Sequence, residues 1–238
     1  MTVRKRPSDY QENSIRVLKG LEPVKSRPGM YTLTDNPLHI VQEVLDNASD
    51  EVLGGFGDTI VLTMGADGSV SVEDNGRGIP VGIHPTEGIP TVELVFTQLH
   101  AGGKFDKASG GAYSFSGGLH GVGVSVTNAL SRRLEVTVWR DAKEYRIAFE
   151  DGFVVEPLSE SPSERGKKFT GTRVRCVPDP KYFDSPVIPE QQLVALLKSK
   201  AVLLPRCTVR YINEQTGREL SWRYDGGLRE YLLAEFTE

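Results

Sequence analysis

The spacing of hydrophobic and polar positions changes several times along the chain. Residues 1–14 are polar and charged and read as an arm. SIRVLKGLEPV (14–24) predicts a short helix, and SRPGMYTLTDNP (26–37) a turn-rich connector. From Pro37 to Gly54 apolar residues recur at helical spacing, with Pro near the start and a Gly pair at the end. DTIVLTM (58–64) and SVSVED (69–74) are β-rich runs joined by GADG, the pattern of a hairpin. NGRGIPVGIHPTEGIP (75–90) is loop, and TVELVFTQLHAG (91–102) is helical. Residues 102–121 are almost all small, polar or Gly, and GVSVTNALS (123–131) opens another helix. Three strands follow, RLEVTVWR (133–140), KEYRIAFE (143–150) and TRVRCVPD (172–179). A helix (190–203), two strands (207–213 and 219–224) and a last helix (227–236) complete the chain. Helices segregated from a mostly antiparallel sheet predict a two-layer α+β sandwich.

The helix after Pro37 has two distinct faces. At about 100° per residue, with His39 at 0°, Asp50 falls near 20°, Glu43 near 40° and Asn47 near 80°. Val41, Val44, Leu45, Ala48 and Val52 fall between roughly 140° and 240°, which makes that side the core face. A merely solvated face would carry Lys and Arg in i,i+4 pairs with Glu. This helix contains neither. Acidic groups without cationic neighbours call for a cation, and hard ions such as Mg²⁺ take oxygen ligands that they share with phosphates. Glu43 and Asn47, one turn apart, could place a base and a metal ligand side by side.

Composition narrows the class. Lys and Arg total 28 against 32 Asp and Glu, a net charge of −4, so the chain lacks the basic balance of an autonomous nucleic-acid grip. No apolar run reaches membrane-spanning length, and the first residues lack the apolar segment of a signal peptide. Cys176 and Cys207 form neither a disulfide framework nor a zinc site, and the expected compartment is a reducing cytoplasm. Glycine is the outlier: of 25 in the chain, 17 lie between Gly54 and Gly123.

Two glycine-rich segments carry candidate chemistry. SVSVED ends in Asp74, followed by Asn75-Gly76-Arg77-Gly78. Taken alone this reads as an Asx turn. It also sets a carboxylate at a strand end where backbone can approach a ligand, and a planar base with an exocyclic amine suits that acceptor. Farther on, His100-Ala-Gly-Gly-Lys104 and Ser116-Gly-Gly-Leu-His-Gly-Val-Gly123 precede a helix start. Such a run can cradle phosphate through backbone N–H groups. Neither a Rossmann βαβ arrangement nor a P-loop accompanies it.

Glu43-x-x-x-Asn47, Asp74-x-Gly76-x-Gly78, the Gly117–Gly123 loop and Thr170-Gly-Thr172 occur in this order. The series resembles the N, G1, G2 and final Thr boxes of the GHKL ATPases, which include gyrase, Hsp90, histidine kinases and MutL. RPGMYT (27–32), EGIPTVELVFTQLHAGGKF (87–105) and SGGLHGVGVSVTNALS (116–131) are similar to the ATPase subunits of type II topoisomerases. GLEPVKSRPGMYT, FDSP (183–186), LKSKAVLLP and YDGGLREYL tilt the resemblance towards the topoisomerase IV branch and away from gyrase, the alternative.

The resemblance implies a helical layer on a mixed sheet, the GHKL or Bergerat fold, holding ATP beneath a lid at about residues 98–123. Glu43 would activate the attacking water and His39 would orient or polarise it. Asn47 would bind Mg²⁺, with Asp50 on the same stripe. Asp74 would accept from the adenine amine, assisted by Thr172. Arg77, Gly78, Ile79 and Pro80 would flank the base, with Arg77 paired to Glu51. Gly102, Gly103, Lys104, Tyr113, Gly118, Leu119, His120, Gly121, Val122 and Gly123 would form the lid and phosphate cradle. Arg140 would sit at the pocket rim where aminocoumarin-type inhibitors bind. Tyr10 and Ile15 would contact a neighbouring copy when an arm of residues 1–14 closes over the domain of residues 15–238. The implied partners are ATP, a second copy, the DNA-gate subunit of topoisomerase IV and, through the whole enzyme, DNA, in a bacterial, nucleoid-associated setting without a membrane. The transducer and DNA-gate regions are expected outside these residues, so the chain is expected to bind nucleotide, remain largely monomeric and turn over slowly.

Other classes fit less well. A histidine kinase needs a phosphoacceptor helix upstream, where only fourteen polar residues stand. Hsp90 lacks the topoisomerase-like strings, and Glu43 argues against a purely regulatory nucleotide-binding module.

Overall fold

The computed structural model describes residues 17–101 and 122–235. In chain order its elements are α1 (Glu22–Ser26), α2 (Leu38–Leu53), β1 (Thr59–Met64), β2 (Val70–Asp74), α3 (Thr91–Thr97), α4 (Gly123–Ala129), β3 (Ser131–Arg140), β4 (Lys143–Glu150), β5 (Phe153–Pro162), β6 (Gly171–Pro178), α5 (Glu190–Leu203), β7 (Thr208–Asn213), β8 (Arg218–Trp222) and α6 (Gly227–Glu235). The strands form one eight-stranded sheet in the order β5-β4-β3-β6-β2-β1-β7-β8. The β1–β7 pair is parallel and the other neighbours are antiparallel, so the sheet is mixed.

Helix α2 lies on this sheet through the face that the wheel assigns to the core. Val41, Val44, Leu45 and Ala48 pack with Ile60, Leu62, Val72, Val136, Val138 and Val174, all nearly solvent-free. Burial of such side chains stabilises by about 1.5–3 kcal/mol each. A second cluster of Leu21, Val24, Ile40, Val126, Ala129 and Leu130 joins α1, α2 and α4. The Thr127 hydroxyl donates to the Ile40 carbonyl at 2.8 Å, which clamps α4 against the first turn of α2.

Two expectations need correction. The helix predicted over 14–24 is instead α1 at Glu22–Ser26, with residues 17–21 outside it. Gly20 adopts φ +54°, and Pro23 stands in the first turn of the helix. Glycine readily takes that conformation and proline is favoured in a helix's first turn, so the helix begins after Gly20 with Pro23 in its opening turn. Strand β5 is absent from the predicted elements. It is an exposed edge strand whose pairing with β4 shifts register twice, so its half-buried side chains lose the alternation that marks a strand. Pro157 and Pro162 are tolerated at that edge.

Candidate functional site

The geometry along α2 defines two ends of a site. At the N-terminal end His39 and Glu43 stand one turn apart, each side chain about one quarter exposed, with His39 Nε2 4.0 Å from Glu43 Oε1. On its other side the imidazole Nδ1 lies 2.8 Å from the hydroxyl of buried Thr32. Opposite, Gly123 at the start of α4 lies against Glu43: a Cβ there would fall 1.9 Å from Glu43 Oε2. Asn47 is half-buried one turn farther along.

At the C-terminal end α2 meets the turn after β2. A Cβ on Gly76 would lie 2.7 Å from Glu51 Cβ, so the absence of a side chain lets the turn press onto the helix. Arg77 grips Glu51 with its guanidinium at 2.9 and 3.1 Å and with its backbone N–H at 2.9 Å. The same guanidinium stacks 3.6 Å above the Phe56 ring. Asn75 fixes the turn from outside: its amide oxygen accepts from the Asp58 and Thr59 N–H groups, both at 2.9 Å.

Asp74 closes β2 opposite Thr172 of β6. Its Oδ1 accepts from the Gly76 N–H at 2.8 Å, the local bond of an Asx turn. Burial pushes the Asp74 carboxyl up to about 7, and the neighbouring Glu51 and Glu73 charges push the same way, while N–H donation from Gly76 and Thr172 opposes them. The Thr172 hydroxyl accepts from the Ile79 N–H at 3.2 Å, and the Arg140 guanidinium donates to the Gly78 carbonyl at 3.0 Å. Ile79 is half-buried and Pro80 exposed. Gly78, at φ +76°, passes so close to β3 that a Cβ would meet the Trp139 carbonyl at 2.9 Å.

The structure therefore brings together His39, Glu43 and Gly123 at one end and Asp74, Arg77, Gly78, Ile79, Thr172 and Arg140 at the other. At 1.5 Å per residue, Glu43 and Glu51 are about 12 Å apart along the helix axis. Val122 is half-buried beside Gly123. Asp50 departs from the stripe: it is fully buried, unlike His39, Glu43 and Asn47. The acidic face also has cations that the helix itself lacks. Lys200 of α5 binds Asp46, and Arg77 binds Glu51. Tyr10, Ile15, Gly102, Gly103, Lys104, Tyr113, Gly118, Leu119, His120 and Gly121 lie outside the described residues.

Thr32, Glu51 and Lys200 shape the site, although the sequence pattern does not single them out as ligands. Thr32 lies in the RPGMYT string, but its contact with His39 is set by the fold rather than by helical spacing. Among the described residues no group of three or more His, Cys, Asp or Glu could hold a metal. An oxygen-rich but incomplete set, Asn47 beside Glu43, fits a cation that completes its shell with phosphate oxygens and water, as Mg²⁺ does.

These features coincide with a family match. The profile described as histidine kinase-, DNA gyrase B-, and HSP90-like ATPase matches residues 33–180. The chain belongs to this ATPase family. Among its relatives, the B subunit of DNA topoisomerase 4 from Pseudomonas aeruginosa is 52% identical over 96% of this chain and 36% of its own length. The B subunit of DNA gyrase from Thermotoga maritima is 50% identical over 94% of this chain and 35% of its own. The chain thus spans about a third of the length of the curated relatives it matches. Among solved structures it is similar to the topoisomerase IV ATP-binding domain of Francisella tularensis in complex with a small-molecule inhibitor, at TM-score 0.79 and 44% identity over 93% of this chain and 58% of that one. It is also similar to the 43K ATPase domain of Thermus thermophilus gyrase B in complex with an aminocoumarin, at TM-score 0.78 and 38% identity over 90% of this chain and 54% of that one.

Proposed function

We propose that the chain is the ATP-binding and hydrolysing part of the B subunit of a topoisomerase IV. The observation that carries the nucleotide reading is Asp74, a buried carboxylate at the end of β2. Beyond the Gly76 N–H, the carboxylate keeps acceptor capacity that an exocyclic amine suits, and a base held there would lie near Gly78 and Thr172. Extended along α2, the phosphates reach Asn47 and Glu43. Glu43 takes the proton of a water attacking the γ-phosphorus, and the bond from that phosphorus to the ADP oxygen breaks. Asn47 would supply an oxygen to Mg²⁺, which would neutralise phosphate charge when bound. Val122 and Gly123, at the start of α4 beside Glu43, line the phosphate end.

In the whole protein, ATP-driven closure of two copies through the N-terminal arm powers DNA strand passage with the A subunit of topoisomerase IV, decatenating and relaxing DNA in the bacterial cytoplasm at the nucleoid. Inhibitors of the aminocoumarin type occupy the adenine end beside Arg140. Calorimetric titration with a non-hydrolysable ATP analogue and Mg²⁺ tests the site. Saturable binding that weakens at least about tenfold in Asp74→Ala, the loss expected for a hydrogen bond to a charged group, supports it. Equal binding by both contradicts it. Decatenation by the full-length protein with its DNA-gate partner, without negative supercoiling, supports the topoisomerase IV assignment, and supercoiling supports the gyrase alternative.

A further inference from the structure

We infer that Thr32 is a positioning residue for the hydrolytic end of the site, holding the His39 imidazole so that its Nε2–H faces Glu43; the inference rests on the proposed role of Glu43. The chain of contacts begins in local sequence. Pro28 starts a 3₁₀ turn over Pro28–Met30, and the N–H groups of Tyr31 and Thr32 both donate to the Pro28 carbonyl, at 2.9 and 3.0 Å. Thr32 is thereby held in place and buried, only 7% exposed. Its hydroxyl oxygen lies 2.8 Å from His39 Nδ1 and 3.4 Å from the Leu33 carbonyl. A hydroxyl has one proton to give, and the shorter contact is in the best range for it.

Donation to Nδ1 fixes the neutral ring as the Nε2–H tautomer, because the proton on one nitrogen is set by the bond the other makes. Nε2 lies 4.0 Å from Glu43 Oε1, so a small rotation makes a hydrogen bond. Glu43 Oε2 lies on the Gly123 side, where the lack of a Cβ gives it room. His39 then fixes the orientation of the Glu43 carboxylate. The reverse arrangement, with Nδ1–H donating to Thr32, turns a bare nitrogen towards a carboxylate, which offers no attraction.

Two substitutions separate the hydroxyl from its packing. Thr32→Val keeps the shape and removes the donor, whereas Thr32→Ser keeps the donor and removes a methyl group. Long-range ¹H–¹⁵N spectra of the 238-residue chain, with His39 assigned through His39→Gln and recorded where the ring is neutral, read the tautomer. The expected wild-type ring carries its proton on Nε2, with Nδ1 shifted as a hydrogen-bond acceptor. That Nδ1 shift is lost in Thr32→Val and kept in Thr32→Ser. In the full-length protein Thr32→Val is expected to lower kcat on the order of tenfold, with KM and nucleotide affinity unchanged, and Thr32→Ser to restore kcat. An Nδ1–H tautomer in the wild type, or an equal kcat defect in Val and Ser, overturns the proposal. Hydrolysis that survives Glu43→Ala overturns the role of Glu43, whereas hydrolysis lost in Glu43→Ala but untouched in Thr32→Val overturns the role of Thr32 alone.

Discussion

Gly123 and Glu43 meet with no room between them: a single carbon added to Gly123 would fall 1.9 Å from the Glu43 Oε2 atom. The contact comes from different parts of the sequence. The clamp between Thr127 and Ile40 sets α4 against α2, and the side-chain-free position at the start of α4 then falls on the carboxylate. Gly123→Ala is therefore expected to push Glu43 aside, costing roughly 1–3 kcal/mol of stability and most of the ATP turnover. Thermal unfolding of a double-mutant cycle checks this. Glu43→Ala should relieve most of the Gly123→Ala cost, whereas additive effects would show that the two residues do not compete for space.

Gly78 and Gly55 make a matched pair for a second test. Both have positive φ, +76° and +78°, but only Gly78 faces neighbours, with the Trp139 carbonyl 2.9 Å from an added Cβ. Gly55→Ala is expected to cost about 1 kcal/mol from backbone conformation alone. Gly78→Ala should cost roughly 2–4 kcal/mol and weaken nucleotide binding, because the strand-end turn must move. Chemical denaturation of both variants measures the difference.

The Asp74 carboxyl makes stability depend on pH in a defined direction. Its value rises from 3.8 to about 7 in the fold. The folded chain then holds a proton that the unfolded chain has released, so the stabilisation is complete below about pH 4 and is lost as pH rises through about 7. The span corresponds to roughly 4 kcal/mol. Asp74→Asn removes the dependence, and the difference between wild type and variant isolates it from other carboxyl groups. Denaturant melts at several pH values should show wild type losing ground to the variant from pH 4 to 7. A constant difference would mean that Asp74 titrates normally. An exocyclic amine prefers the ionised form, so adenine-nucleotide affinity is expected to rise over the upper part of the same range.

Lys200 of α5 and Asp46 of α2 form an ion pair with side chains only 19% and 12% exposed. Lys200→Met leaves the carboxylate without its cation in a mostly buried place, at an expected cost of about 2–4 kcal/mol. Asp46→Asn in that background should recover much of it. Urea denaturation reads both, and a loss below about 0.5 kcal/mol would make the pair equivalent to an exposed one.

Much of this site is legible before folding is considered. Helical spacing alone brings His39, Glu43 and Asn47 to one side of α2, and Asp74 stands out as an acid closing a strand before two spaced glycines. The rest depends on tertiary contact. The wheel groups Asp50 with the half-buried stripe, yet that end of α2 is covered and Asp50 is fully buried. The missing cations of α2 arrive from Lys200 and Arg77, which are far away in sequence or on the adjoining turn. Thr32 lies in a connector with no periodicity to mark it, and its contact with His39 exists only once the Pro28 turn is built. Strand β5 is hidden in the sequence because its register shifts against β4 break the alternation.

The central claim is that α2 carries the base for ATP hydrolysis while the β2 turn holds the nucleotide. Its most direct test is Glu43→Ala in the full-length protein with its DNA-gate partner, measuring analogue binding and ATP turnover on the same preparation. Binding within about threefold of wild type together with a fall in turnover of at least about 100-fold is the predicted result. Turnover that survives, or binding and turnover lost together, would contradict it.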